Sequence, residues 1–289
     1  MKYLPLLLLF LFVGCGEQAS QPDAVTVFAA PIGAIARSVA GDAFAVYVVV
    51  PAGKDVHEYE PSPGDLAALG RGGVYLDTGL PPERRLARMV VDSGGRMATI
   101  GGDIERFVGG DDHGHGHDHA DGDPHIWMSP QNAKVLTRDC AAALIDLFPA
   151  HEAVFRANAA TTIAELEALE AELEALLKPY AGRTFYAYHP AFGYFAAQFG
   201  LTQDAIEVDG KAPAPRQLEG IMLEMKRAGV TRIYASNQFN LSVPRACAAQ
   251  LNAELVTLDP LPSDLIGGFR DIAVKLAAGF AAEDIGGGE

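Results

Sequence analysis

One long segment without Gly or Pro, residues 151–178, most constrains how this chain can fold. Its apolar side chains recur at spacings of three and four residues, at Ile163, Leu166, Leu169, Leu173 and Leu176. This spacing places them on one face of an α-helix. At 1.5 Å per residue the helix would be about 40 Å long, enough to run along two domains. Pro179 and Gly182 follow and end it.

On both sides of this helix, short apolar runs typical of β-strands alternate with helix-like segments. The strand candidates are residues 25–29, 45–50, 74–77, 184–188, 232–235 and 255–258. Ser62-Pro63 and Ser129-Pro130 mark two helix starts, because Ser caps a helix and Pro is tolerated at its first position. Alternating strands and helices indicate parallel sheets covered by helices on both faces.

Chain length indicates more than one hydrophobic core. Of the 289 residues, 275 remain after the first 14, which is more than a single core usually serves. We therefore predict an α/β fold of two parallel-sheet lobes joined by one long rigid helix. The N-terminal lobe covers residues 23–149, the connecting helix 150–179 and the C-terminal lobe 180–289.

The first 14 residues predict an export signal. Lys2 is followed by an apolar run at 4–13, too short for a span of roughly 20 residues, and then by Gly14-Cys15. The cysteine makes this region resemble a bacterial lipoprotein signal, in which Cys15 is lipidated and becomes the mature N-terminus. We expect a signal peptide at 1–14, a tether at 15–22 and a lipid-anchored extracytoplasmic protein, in the periplasm or on the outer face of the cell membrane. An ordinary signal peptide with a chance cysteine is the alternative.

The composition argues against two classes of partner. The formal net charge is −15 and basic clusters are absent from the sequence, which argues against binding nucleic acid or an anionic lipid surface. An acidic chain suits a protein that handles cations, although solubility alone explains the charge equally well. We expect a monomer.

Two further cysteines, Cys140 and Cys247, lie in apolar, helix-like surroundings. Export permits a disulfide between them, but the sequence leaves open whether they meet. We expect two separate core residues. CxxC and Cys/His finger spacings are absent from the sequence, so a cysteine-based metal site is not expected.

Histidines are concentrated in a segment at 111–124, composed mainly of Gly, Asp and His. Such a segment lacks the apolar side chains needed to pack, so we expect a mobile loop. Alternating imidazoles beside acidic groups favour weak, auxiliary metal binding. The auxiliary candidates are His113, His115, His117 and His119. A solvated loop without function is the alternative.

Isolated metal-competent side chains follow the predicted strands. His57 lies in the loop after strand 45–50, His189 directly follows strand 184–188, and Asp259 directly follows strand 255–258. Ligands of open parallel sheets bind beyond the carboxyl ends of the strands, so these side chains would converge on the cleft between the lobes. His125 precedes the helix at Ser129 and would join them from its loop. Taken singly, each histidine is as readily a hydrogen-bonded structural residue.

The surroundings of these residues resemble a known family. The chain reads GKDVHEYEPSP around His57, DPHIWMSP around His125, YHPAFGYFAAQFGL around His189 and LDPL around Asp259. In this order they resemble the ZnuA-like substrate-binding proteins of zinc and manganese ABC importers, from about residue 25 to the C-terminus. Val56 stands where the family usually has Pro. The segment 234–240 lacks an acidic residue often found there, and we expect no ligand from it.

The resemblance implies one metal ion in the interlobe cleft, bound by His57, His125 and His189 with Asp259 in the fourth position. Glu58 or water are alternatives for that position. Manganese-type members tend to have Glu where this chain has His189, which points to Zn(II). Three imidazoles in a tetrahedral site suit zinc, whereas manganese prefers more oxygen ligands.

The implied function is capture of Zn(II) outside the cytoplasm and its delivery to the membrane permease of an ABC importer, without enzymatic activity. A zinc-dependent hydrolase is the main alternative, because three histidines and a water form a catalytic arrangement. However, the sequence contains no HExxH, GxSxG, Walker or GxGxxG motif. A metal-stabilised adhesin and a manganese-type importer component are the remaining alternatives.

Overall fold

The computed structural model describes residues 25–69, 73–81, 83–107, 122–208 and 210–286. The elements of the N-terminal lobe are β1 (Val25–Val27), α1 (Ala30–Ala40), β2 (Val46–Val48), α2 (Pro63–Leu69), β3 (Val74–Asp77), α3 (Glu83–Asp92), β4 (Arg96–Thr99) and α4 (Pro130–Leu147). The four strands pair in parallel in the order β2-β1-β3-β4. Their carboxyl ends therefore share one edge of the sheet.

The C-terminal lobe repeats this plan. Its elements are β5 (Thr184–Ala187), α6 (Gly193–Gln198), β6 (Thr202–Ala205), α7 (Pro215–Arg227), β7 (Arg232–Ala235), α8 (Ser242–Leu251), β8 (Glu254–Thr257) and α9 (Leu265–Gly286). The strands are again parallel, in the order β6-β5-β7-β8. The predicted fold of two parallel-sheet α/β lobes is confirmed.

The long helix α5 (Glu152–Leu177) joins the lobes. Its 26 residues make it about 39 Å long, as predicted. The buried face consists of Phe155, Ala159, Leu166, Leu169, Leu173 and Leu177. It packs against α1 and α4 of the first lobe and α9 of the second. One hydrophobic core consequently runs through the first lobe, α5 and one face of the second lobe, while a smaller core lies on the other face.

The sequence prediction missed two strands, β4 and β6. Each lies at the edge of its sheet and is largely exposed or half-buried. Their sequences, RMAT and TQDA, lack the continuous apolar runs by which the other six strands were recognised.

A fully buried tryptophan connects the two lobes near their facing edges. The indole N–H of Trp127 donates a hydrogen bond of 2.8 Å to the main-chain oxygen of Pro260. Trp127 lies just before α4, whose start is capped by Ser129, because its hydroxyl accepts from the Asn132 N–H at 3.1 Å. The loop that carries His125 is therefore fixed at both lobes.

The cysteines of the described core do not form a disulfide. Cys140 and Cys247 are both buried and free, the first in the large core and the second in the smaller one. Cys15, the signal peptide, the tether and the four auxiliary histidines lie outside the described residues. The boundaries 23–149, 150–179 and 180–289 stay predictions. Across the described ranges, no helix combines the length and apolar character needed to cross a membrane.

Candidate metal centre

Three histidines from distant parts of the chain meet between the lobes. His57 lies in a turn after β2, His125 in the loop before α4, and His189 two residues after β5. Within the described part of the chain, their ring nitrogens form the one group of at least three metal-competent donors that lie within 4.8 Å of one another. The predicted convergence of these three residues is therefore present in the structure.

The separations between their ring nitrogens fit a tetrahedral cation. The Nε2 atom of His125 lies 3.1 Å from Nε2 of His57 and 3.3 Å from Nε2 of His189. Nitrogens bound tetrahedrally to Zn(II) at 2.0–2.1 Å lie about 3.3 to 3.4 Å from each other. The three side chains therefore have the spacing of ligands around a single small ion.

Two of the imidazoles are oriented by carboxylates. Asp123 Oδ1 lies 2.8 Å from Nδ1 of His125, and Glu207 Oε2 lies 2.7 Å from Nδ1 of His189. A carboxylate accepts hydrogen bonds, so the proton of each neutral ring belongs on Nδ1. The Nε2 lone pairs of both rings are thereby directed toward the shared centre, which is the arrangement a metal ligand needs.

The environment of His189 also favours its neutral, metal-binding form. Burial lowers the pKa of His189, and the hydrogen bond to Glu207 opposes this shift without reversing it. The Phe239 ring covers the imidazole, with 4.4 Å between the ring centroids. Segment 234–240 thus contributes packing against His189 through Phe239, and it contributes no member of the donor group among the described residues.

The three candidate ligands differ in exposure. His125 is 4% exposed and the His189 side chain 10% exposed, whereas His57 is the most exposed of the three. The main-chain N–H of His57 donates to Asp55 Oδ1 at 2.8 Å, which fixes the local turn. The centre therefore has two buried donors and one donor near the surface.

The loop that carries His57 is anchored by Asp65, which is 6% exposed. Its carboxylate accepts hydrogen bonds from the hydroxyls of Tyr47, Tyr59 and Ser62 and from the main-chain N–H of Ser62. Burial acts to raise the pKa of Asp65, but these hydrogen bonds outweigh it and lower the pKa to about 2. Asp65 therefore holds the far end of the His57 loop as a stable carboxylate.

Asp259 follows β8 as predicted but is not one of the converging donors. Its Oδ1 accepts from Nε2 of Gln238 at 2.7 Å and from the main-chain N–H of Leu261 at 2.9 Å, and the residue is exposed. Glu58 is likewise outside the donor group of the described residues. The occupant of the fourth position stays a prediction.

Sequence reasoning missed the residues that orient the histidines. Asp123 lies only two positions before His125, in DPHIWMSP, and its position in that motif was a usable indication. Glu207 comes two residues after β6, an edge strand that the prediction lacked. With that strand recognised, the same rule about the carboxyl ends of parallel strands would have placed Glu207 at the centre.

The chain is similar to zinc-handling proteins along most of its length. The model of a family described as zinc-uptake complex component A, periplasmic (ZnuA), matches residues 25–271. The zinc-binding lipoprotein AdcA of Streptococcus pneumoniae serotype 4 is 28% identical over 285 residues, which cover 91% of this chain and 56% of that protein. The chain thus spans about half the length of this curated relative.

Solved structures resemble the whole fold. A crystal structure of ZnuA superposes with a TM-score of 0.81 at 31% identity, covering 89% of this chain and 98% of that one. The laminin-binding protein Lmb of Streptococcus agalactiae, described as a bifunctional protein with adhesin and metal-transporting activity, gives a TM-score of 0.77 at 26% identity. The superposition covers 88% of this chain and 99% of the Lmb chain.

Proposed function

Since this chain belongs to the ZnuA family of periplasmic zinc-uptake components, we propose that it captures Zn(II) outside the cytoplasm and delivers it to an ABC importer. The ligands in this proposal are His57, His125 and His189. The observation that carries the proposal is the spacing of their Nε2 atoms: that of His125 lies 3.1 Å from that of His57 and 3.3 Å from that of His189. Two carboxylates also direct the Nε2 atoms of His125 and His189 inward.

The charges around the site suit a divalent cation. Three neutral imidazoles carry no net charge, so the carboxylates of Asp123 and Glu207 provide two negative charges within one residue of the ion. These two charges would help to balance Zn(II) from outside its coordination shell, through the rings of His125 and His189. A donor set made of nitrogens favours zinc over manganese, which prefers oxygen ligands.

We propose Asp259 for the fourth position, with Glu58 and water as the competing occupants. The Asp259 loop lies beside His125, because Trp127 donates to Pro260 and its ring centroid lies 5.8 Å from that of His125. Binding through Oδ1 would exchange the hydrogen bond from Gln238 for the metal. This exchange involves an exposed side chain, so the rearrangement is local.

Release of the ion would also be local. The lobes share one core through α5, so a wide opening of the cleft would expose buried apolar surface. His57 is the most exposed ligand and lies on a loop, and its displacement would open the centre without separating the lobes. We propose that this loop moves when the permease accepts the metal.

The remaining parts of the proposal concern the cell. Cys15 would carry the lipid that tethers the protein to the membrane, and the partner would be the permease of a zinc ABC importer. The segment 111–124 would collect zinc weakly near the outer surface. The family is one of solute-binding transport proteins, which favours transport over the hydrolase alternative.

The direct test is metal analysis and competitive chelator titration of the purified mature chain. We expect one tightly bound zinc per molecule, lost in His189→Ala. His151→Ala is the matched control, because His151 lies against Phe44 and outside the donor group. Equal zinc affinities for His189→Ala and His151→Ala would refute this assignment of the site. Poor growth of a deletion strain in chelated medium, restored by zinc, would test the role in uptake.

A further inference from the structure

Tyr194, the second residue of α6, reaches across the cleft to the loop that carries His125. Its hydroxyl donates a hydrogen bond of 3.0 Å to the main-chain oxygen of Asp123, 71 residues away and in the other lobe. The Tyr194 side chain is buried, with 5% exposed. Asp123 is also the residue that accepts from the main-chain N–H and Nδ1 of His125, at 2.9 and 2.8 Å. Tyr194, a side chain of the C-terminal lobe, thus holds Asp123, the residue that orients His125 in the N-terminal lobe.

Phe107 completes this contact from the side. Its ring stacks on that of Tyr194, with 4.4 Å between centroids and 19° between planes. The main-chain oxygen of Phe107 accepts from the N–H of Asp123 at 2.8 Å. Tyr194, Phe107 and Asp123 therefore each contact the other two, and we refer to them as the Tyr194 clamp.

The neighbouring glycine shows how closely α6 approaches Asp123. A Cβ atom at Gly193 would lie 3.0 Å from Asp123 Oδ2. That distance is shorter than an ordinary van der Waals contact, so the carboxylate would have to shift to admit a methyl group. Two consecutive residues of α6 therefore restrict Asp123. Gly193 lies against its carboxylate, and the Tyr194 hydroxyl contacts its main-chain oxygen.

We infer that Tyr194 is a positioning residue of the metal centre, which fixes the His125 imidazole through Asp123 and links its orientation to the opposite lobe. The inference rests on the proposed function, since it assumes that His125 binds the metal. Partners that orient a ligand typically change metal affinity by 10- to 100-fold when they are lost. Tyr194 reaches His125 only through Asp123, so we expect its loss to lower zinc affinity by an amount at the lower limit of that range.

Tyr194→Phe removes the hydroxyl and keeps the ring that stacks on Phe107. We expect zinc affinity to fall about tenfold and the visible absorption of the Co(II)-substituted protein to change, because the geometry at His125 alters. The matched control is Tyr234→Phe. Tyr234 is a buried tyrosine of the same lobe whose hydroxyl donates to the main-chain oxygen of Lys275 at 3.4 Å, and we expect its loss to leave both readouts unchanged.

A double-mutant cycle with Asp123→Asn tests the route of action. If Tyr194 acts through Asp123, Tyr194→Phe will weaken zinc binding much less in the Asp123→Asn background than in the wild type. Additive effects, or an unchanged affinity and Co(II) spectrum in Tyr194→Phe, would overturn the inference. Should Tyr194→Phe fail to fold, Phe107→Leu decides by the same two readouts, because it removes the ring that packs on Tyr194 and leaves the Tyr194 hydroxyl less firmly held.

The same titrations distinguish this inference from the proposed function. A wild-type protein without stoichiometric zinc, or a His125→Ala variant that binds as tightly as the wild type, would refute the proposed centre itself. Tight wild-type binding that depends on His125 but not on Tyr194 would refute only the positioning role.

Discussion

The two buried histidines and the exposed one are held in different ways. His125 and His189 lie in the interior, and each places Nδ1 against a carboxylate that directs Nε2 inward. His57 lies in a turn near the surface, on a loop anchored from a distance by Asp65. Two donors are thus oriented by neighbouring carboxylates, and the third lies on a loop whose far end is held by Asp65.

This difference assigns separate tasks to the two parts of the centre. In the proposed centre, the buried pair would supply a preorganised arrangement of nitrogens, one from each lobe, that sets the strength and geometry of binding. The His57 loop supplies the part that can move without disrupting the shared core. Variants that act on one part and spare the other can therefore test the division.

The largest expected effect is a difference in zinc affinity between His125→Ala and His57→Ala. His125→Ala should weaken zinc binding by more than about 100-fold, beyond the loss typical of outer partners, because it removes the central buried donor. His57→Ala should cost about tenfold to 100-fold, because water can take the vacated position near the surface. Competitive titration measures both affinities. A larger loss for His57→Ala than for His125→Ala would contradict the division.

A smaller effect is expected where the orientation of a buried ligand is weakened. Glu207→Gln keeps a hydrogen-bond acceptor for Nδ1 of His189 but removes the charge, so we expect a loss of zinc affinity of about tenfold or more. Glu219→Gln, an exposed change in α7 of the same lobe, is the control and should have no effect. Equal affinities for the two variants would show that the carboxylate charge contributes nothing.

Loosening the His57 loop should cost less affinity but measurable stability. Asp65→Asn leaves buried donors poorly satisfied, so we expect a loss of about 1 to 3 kcal/mol in the free energy of unfolding. Zinc affinity should weaken only a few-fold. The exposed Asp92→Asn in the same lobe is the control for thermal unfolding. A Tm equal to that of the control variant would contradict the anchoring role.

The stabilising effect of Asp65 should also depend on pH. Its pKa is lowered in the folded protein to about 2, from an ordinary value of 3.8. The carboxylate therefore stabilises the fold fully above pH 4, and this contribution is lost as the pH falls toward 2. The difference in unfolding free energy between wild type and Asp65→Asn should shrink over that interval. A difference independent of pH would indicate that the ionised carboxylate is not what stabilises the loop.

The smallest effect is expected for the histidine-rich segment. Deleting residues 112–121 should leave the affinity of the tight site within about twofold, because none of the three proposed ligands lies there. The deletion should remove additional weak zinc binding, measured as stoichiometry at high metal concentration. Loss of the tight site in this variant would mean that the segment belongs to the main centre.

The sequence predicted the elements that bury apolar surface. The six strands found from their apolar runs and the long helix α5 are present. Two of these strands, β2 and β8, lie at sheet edges and are half-buried or exposed, but their sequences keep an apolar run. The edge strands β4 and β6 escaped detection, because an exposed strand needs no apolar run. Glu207, which follows β6, was missed for the same reason.

The sequence alone singled out the three histidines that converge, because His57, His125 and His189 are placed at predictable ends of strands and loops and in motifs that resemble one family. Only the tertiary structure decided how those imidazoles point and which groups hold them. Orientation depends on contacts between residues far apart in the chain, such as His189 with Glu207, Trp127 with Pro260 and Tyr194 with Asp123. Such contacts leave no local periodicity in the sequence, since each is made once, by the packing of two lobes.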